Sequence, residues 1–123
     1  MFTDGVRKNK GKGRDGMEPN LLHAAEYNDF DEALRAINND ALCVREVNKN
    51  GLNAIHLSLL NYHEDMTLFL MNHAKVSTTT KDYFGRDALE YALKHSNPEL
   101  CEKVYERWLQ EKAVNNVVSL NIT

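Results

Sequence analysis

GLNAIHLSLL, residues 51–60, decides the fold, because it recurs as GRDALEYALK at residues 85–94. The two glycines are 34 residues apart, and the same step carries Asn53 to Asp87, Ala54 to Ala88, Ile55 to Leu89 and Ser58 to Ala92. Stepping back by 34 from the first stretch reaches Leu21, Ala24 and Ala25 in LLHAAEYNDFDEALRAI. A string of agreements at this period means stacked supersecondary units, none of which can bury its apolar face alone.

Each unit reads as two short helices. Asn53 and Asp87 stand where an N-cap side chain takes an orphan backbone N–H. Glu90, three residues after Asp87, fits the second arm of a capping box. Asp29 with Glu32, and Asn97 followed by Pro98, mark the starts of second helices. Asn50-Gly51 and Phe84-Gly85 are turn signals between units, with glycine available for positive φ. Stacking predicts a column of Leu21, Ile55 and Leu89. Small residues at Ala24, Ser58 and Ala92 let helices approach, and Ile37, Met71 and Tyr105 line the second helices. The last helix carries Leu100, Cys101, Val104, Tyr105, Trp108 and Leu109 in one apolar stripe at helical period.

The middle unit resembles the ankyrin signature, a glycine turn followed by T-P-L-H-x-A. Asn53 stands at the threonine, Ala54 at the proline, Ile55 at the leucine and His56 at the histidine. The third unit keeps the glycine and the leucine, and PNLLHAAEYND resembles an abbreviated opening repeat. Tetratricopeptide units share the period, but their W-x₂-L-G-x₂-Y pattern is missing and the stretch from Asn39 to Leu52 is too long for their connections. The expected fold is therefore an all-α, ankyrin-type solenoid of three helix-turn-helix repeats with finger turns. It occupies residues 17–113, between a disordered basic tail at 1–16 and a C-terminal tail at 114–123 that straps over the last unit or hangs loose.

Composition excludes other classes. Apolar residues make up 42% and charged residues 27%, ordinary globular usage. No apolar run approaches a membrane span, and residues 1–16 hold no apolar stretch of a secretory signal. Up to Gly16 there are five basic and two acidic residues, which leaves −6 on the remainder of a chain of net charge −3. An acidic body is a poor nucleic-acid surface, and the basic tail is the one part suited to phosphate. Cys43 and Cys101, far apart and without a CxxC, fit free thiols in a reducing, cytoplasmic setting.

Candidate chemistry is sparse. His63-Glu64-Asp65 is not HExxH, and no GxGxxG, P-loop or GxSxG is present. We expect no catalytic residue, metal or cofactor. The resemblance implies that His56 hydrogen-bonds backbone groups between neighbouring repeats. It also implies protein binding, as an adaptor or inhibitor, through finger tips and the exposed edge of the first helices. By register the fingers present Lys49, Asn50 and Leu52, then Tyr83, Phe84 and Arg86. The helix edge presents Glu26 and Tyr27, Leu60 and Asn61, and Lys94 and His95. Two aromatics and an arginine at one tip are hot-spot residue types with no core to fill. The expectation is a monomer that binds another protein. Nucleic acid held by the basic tail, or an enzyme with an unrecognised site, are the alternatives.

Overall fold

The computed structural model describes residues 18–122, with side chains described as far as Val114. The basic segment 1–16 lies outside them. Among the described residues six α-helices form three antiparallel pairs: α1 (Leu21–Tyr27) with α2 (Phe30–Asn39), α3 (Ala54–Leu60) with α4 (Glu64–Asn72), and α5 (Ala88–Ala92) with α6 (Pro98–Ile122). A 3₁₀ helix at Ala41–Arg45, not expected from the sequence, fills part of the first connection and is capped by Asp40.

The caps form where the sequence places them. Asn20, Asp29, Asn53 and Asp87 each accept a backbone N–H three residues on, and Asn97 accepts from the amides of Glu99 and Leu100. The capping box lies elsewhere than expected. In the third unit only the Asp87 arm is made among the described residues, whereas in the middle unit His56 completes the box. Imidazole Nδ1 supplies the acceptor that the N-cap amide needs.

The first helices α1, α3 and α5 pack side by side. Leu21 and Ile55 are fully buried, and so are the small residues Ala24, Ser58 and Ala92. Leu89 is only half-buried, because none of the described residues forms a unit that covers its far side. The second helices depart from expectation in the same direction: Met71 is buried, Ile37 half-buried and Tyr105 exposed. The expected stripe on α6 therefore divides. Leu100 and Val104 turn into the stack, while Tyr105 and Leu109 face out. Cys43 is buried and Cys101 half-buried, both free thiols. Burial, with Glu46 and Asp40 nearby, pushes the Cys43 thiol up, away from nucleophile character.

Helix α6 runs unbroken to Ile122, so its backbone does not turn at Val114 to strap back. It is braced at Trp108 and at Glu111. Trp108 Nε1–H donates to Asp87 Oδ2 at 2.9 Å. The Glu111 carboxylate accepts from the Thr78 amide at 3.0 Å and from the hydroxyls of Thr78, Ser77 and Thr79 at 2.8, 3.0 and 3.3 Å. A charged acceptor with several donors makes a strong tether, and it ties the last helix to the loop that leads into the final finger.

Candidate partner-binding surface

Two finger hairpins share one construction. In the first, Asn48 Oδ1 accepts the amides of Asn50 (2.9 Å) and Leu52 (3.0 Å), and Asn48 N–H donates to Leu52 O at 2.9 Å. In the second, 34 residues on, Asp82 Oδ1 accepts the amides of Phe84 and Arg86, both at 2.9 Å, and Asp82 N–H donates to Arg86 O at 2.8 Å. A side-chain oxygen that mimics a backbone acceptor is what Asn and Asp do in tight turns. Gly51 and Gly85 both sit at φ 83°, where a side chain is strained.

The fingers also grip each other. Tyr83 N–H donates to Asn50 O at 3.0 Å, and the Tyr83 ring lies across Gly51, so close that a Cβ there would come within 2.6 Å of it. His56 links the same two units: its Nδ1 accepts the Asn53 amide at 2.9 Å, which leaves the proton on Nε2 to donate to Arg86 O at 3.1 Å. Burial pushes the His56 imidazole below its usual range against the pull of Asp82, so the ring is neutral in this role. The role implied for His56 is the one it has.

Beneath the second finger lies a charged cluster. The Asp82 side chain is fully buried and takes the Tyr91 hydroxyl at 2.5 Å and Arg86 Nε at 3.3 Å. Burial alone would raise its carboxyl. The hydrogen bonds from Tyr91 and from the Arg86 and Phe84 amides, with the Arg86 charge, outweigh that and hold it at about 2. Burial and the Asp82 hydrogen bond push the Tyr91 phenol up to about 12. The Arg86 guanidinium lies 5.1 Å from the centroids of both Phe84 and Tyr91.

Against this geometry the expected surface divides. Tyr83 and Phe84 are 70% and 69% exposed, and Lys49 and Asn50 are also exposed. Leu52 is not a surface residue. The hairpin closes at its backbone, so its side chain turns into the core and only 8% remains exposed. Arg86 is at the tip, but its Nε already serves Asp82, so it is no uncommitted fork for a partner carboxylate. On the helix edge Glu26, Tyr27, Leu60 and Lys94 are exposed. Asn61 is exposed too, although its amide nitrogen donates to Leu57 O at 2.8 Å and closes α3. His95 is withdrawn. Its side chain is 3% exposed, its Nε2 donates to Leu59 O at 2.8 Å, and the Tyr62 ring covers it at 4.7 Å.

Sequence reasoning missed three of these residues. Asn48 and Asp82 stand at one register, three residues before each finger glycine, and that repetition was readable. Tyr62 is exposed at φ 60°, 34 residues after Asn28, which has the same φ. The sequence carried a weaker signal here, since tyrosine is an unusual occupant of the left-handed region.

Among the described residues no group of three or more His, Cys, Asp or Glu is placed to hold a metal ion. No helix among them is long and apolar enough to cross a membrane. A family model for ankyrin repeats, in three copies, matches residues 21–116. A search of the curated proteins finds no match.

Proposed function

The chain belongs to the ankyrin-repeat family, whose repeats are generally protein–protein interaction modules, and we propose that it binds another protein as an adaptor or an inhibitor, without catalysis of its own. The observation that carries this reading is the pair Tyr83–Phe84. Both rings stand exposed on a hairpin held by Asp82, and neither is needed to fill the core. Rigid aromatics on a braced loop lose little entropy when a partner covers them. Lys49 and Asn50 on the adjoining finger, and Tyr27, Leu60, Asn61, Tyr62 and Lys94 along the ends of the first helices, extend the contact. Arg86 and His95 support this surface from below. Two free thiols and the lack of a disulfide between them fit a cytoplasmic setting.

The test uses a Tyr83→Ala/Phe84→Ala double variant and leaves Arg86 in place, because removing Arg86 would uncover Asp82. Immobilised wild-type protein captures its partner from the native host, and the affinity of both forms for that partner is then measured. The double variant should keep its helical circular dichroism and lose about 2 kcal/mol or more of binding free energy, mainly through faster dissociation. A folded double variant that binds as the wild type does places the interface elsewhere.

A further inference from the structure

The outer flank of the third unit is apolar where a stack that ends in water carries a polar face. Leu89, Leu93, Pro98, Cys101, Glu102 and Tyr105 line an open groove of about 490 Å³ between α5 and α6. Leu93, Tyr105 and Leu109 are all substantially exposed around it.

The pattern along α6 says what fits there. Pro98, Glu102, Tyr105, Leu109 and Lys112 follow one another at steps of four, three, four and three, the heptad spacing that keeps one seam facing a second helix. The last four are symmetric about Arg107: Tyr105 and Leu109 lie two residues either side of it, Glu102 and Lys112 five. Two copies of α6 laid antiparallel across this point set Tyr105 against the copy's Leu109 and Glu102 against the copy's Lys112, twice over. Laid parallel, they would set glutamate on glutamate and lysine on lysine. Among the described residues neither Glu102 nor Lys112 has an ion-pair partner within the chain, and the Lys112 ammonium lies 5.2 Å over the Trp108 ring, at the margin of the seam. We propose that this flank binds a second copy of the chain, through a two-fold symmetric, antiparallel α6–α6 contact in which Glu102 and Lys112 choose both partner and orientation. This departs from the expectation of a monomer. It concerns a different face from Tyr83–Phe84, so the two proposals stand or fall separately.

Sedimentation of the full chain across the micromolar range is the test. The wild type should reach twice the 14.1 kDa chain mass. Glu102→Lys leaves two lysines on the seam and Lys112→Glu leaves two glutamates, so each variant alone should sediment as a folded monomer with unchanged helical signal. Mixed in equal amounts, the two should recover the dimer mass, because every lysine then faces a glutamate. A monomeric wild type, an open-ended polymer, a single variant that dimerises like the wild type, or a mixture that stays monomeric would each overturn the proposal.

Discussion

The middle and third units have the same plan and different surroundings. In the middle unit every residue from Gly51 to Leu59 is buried, since a unit stacks on each side. In the third unit the same stretch alternates between buried and exposed, because only one side is covered. The finger leading into the middle unit needs only the neutral oxygen of Asn48. The finger of the third unit uses a carboxylate, which makes the same backbone bonds and also recruits Tyr91 and Arg86. The middle unit, covered on both sides, adds neutral ties such as His56 to Arg86 O to its packing. The third unit, covered on one side among the described residues, relies on carboxylates, at Asp82, at Asp87–Trp108 and at Glu111.

Equivalent core positions give the widest separation between the two. Ile55→Ala removes a fully buried side chain and should cost about 3–4 kcal/mol through lost burial and a residual cavity. Leu89→Ala, at a half-buried position, should cost about 1–2 kcal/mol. Denaturant melts of both variants measure the difference. Equal losses would mean that the outer flank of the third unit is covered in solution, which dimerisation through α6 would also produce, so the melts belong at concentrations where the chain is monomeric.

The fold was legible where local chemistry repeats. The 34-residue step, the caps at Asn53 and Asp87 and the small residues at Ala24, Ser58 and Ala92 each follow from rules that act within a few residues. What the sequence withheld depends on residues far apart in the chain. Nothing near Glu111 signals that it will meet Ser77 and Thr78, and nothing near His95 signals that its ring will reach Leu59. Leu52 was misplaced for a related reason. Counting outward from a turn glycine treats both neighbours alike, whereas a hairpin sends one outward and returns the other to the core.

The finger glycines sharpen the comparison at a smaller scale. Both have φ of 83°, so alanine at either meets the left-handed penalty of roughly 1–2 kcal/mol. At Gly51 a Cβ would also lie 2.7 Å from the Tyr83 backbone nitrogen and 2.6 Å from its ring, whereas at Gly85 it would meet nothing within 4 Å. Gly51→Ala should therefore cost about 3 kcal/mol and Gly85→Ala about 1. Similar costs for the two would show that the fingers part easily, and that Tyr83 is not held against its neighbour.

The carboxylate that distinguishes the third finger makes its stability depend on pH. The Asp82 carboxyl is held at about 2 against an ordinary value of 3.8. The unfolded chain therefore takes up the proton first, and the contribution is complete above 3.8 and lost as pH falls toward 2. That shift corresponds to about 2 kcal/mol. His56, lowered from 6.5 by burial, adds an earlier loss as pH falls below 6.5, so the acid limb should descend in two stages. Tyr91→Phe isolates the later one. It deletes the hydroxyl that donates to Asp82 at 2.5 Å and leaves the amides of Phe84 and Arg86, which is close to what Asn48 receives in the other finger. At neutral pH the variant should lose about 1 kcal/mol, the net worth of a hydrogen bond to a charged group less the cost of burying a phenol. Because Tyr91 no longer helps to hold the charge, the late acid stage should still begin near 3.8 but shrink and end at a pH above 2, while the stage set by His56 stays. The alkaline loss between 10 and about 12, where the wild-type phenol resists ionisation, should vanish. A variant with the wild-type profile at both extremes would assign the Asp82 charge to the backbone amides and Arg86 alone, and the two fingers would then differ in residue but not in mechanism.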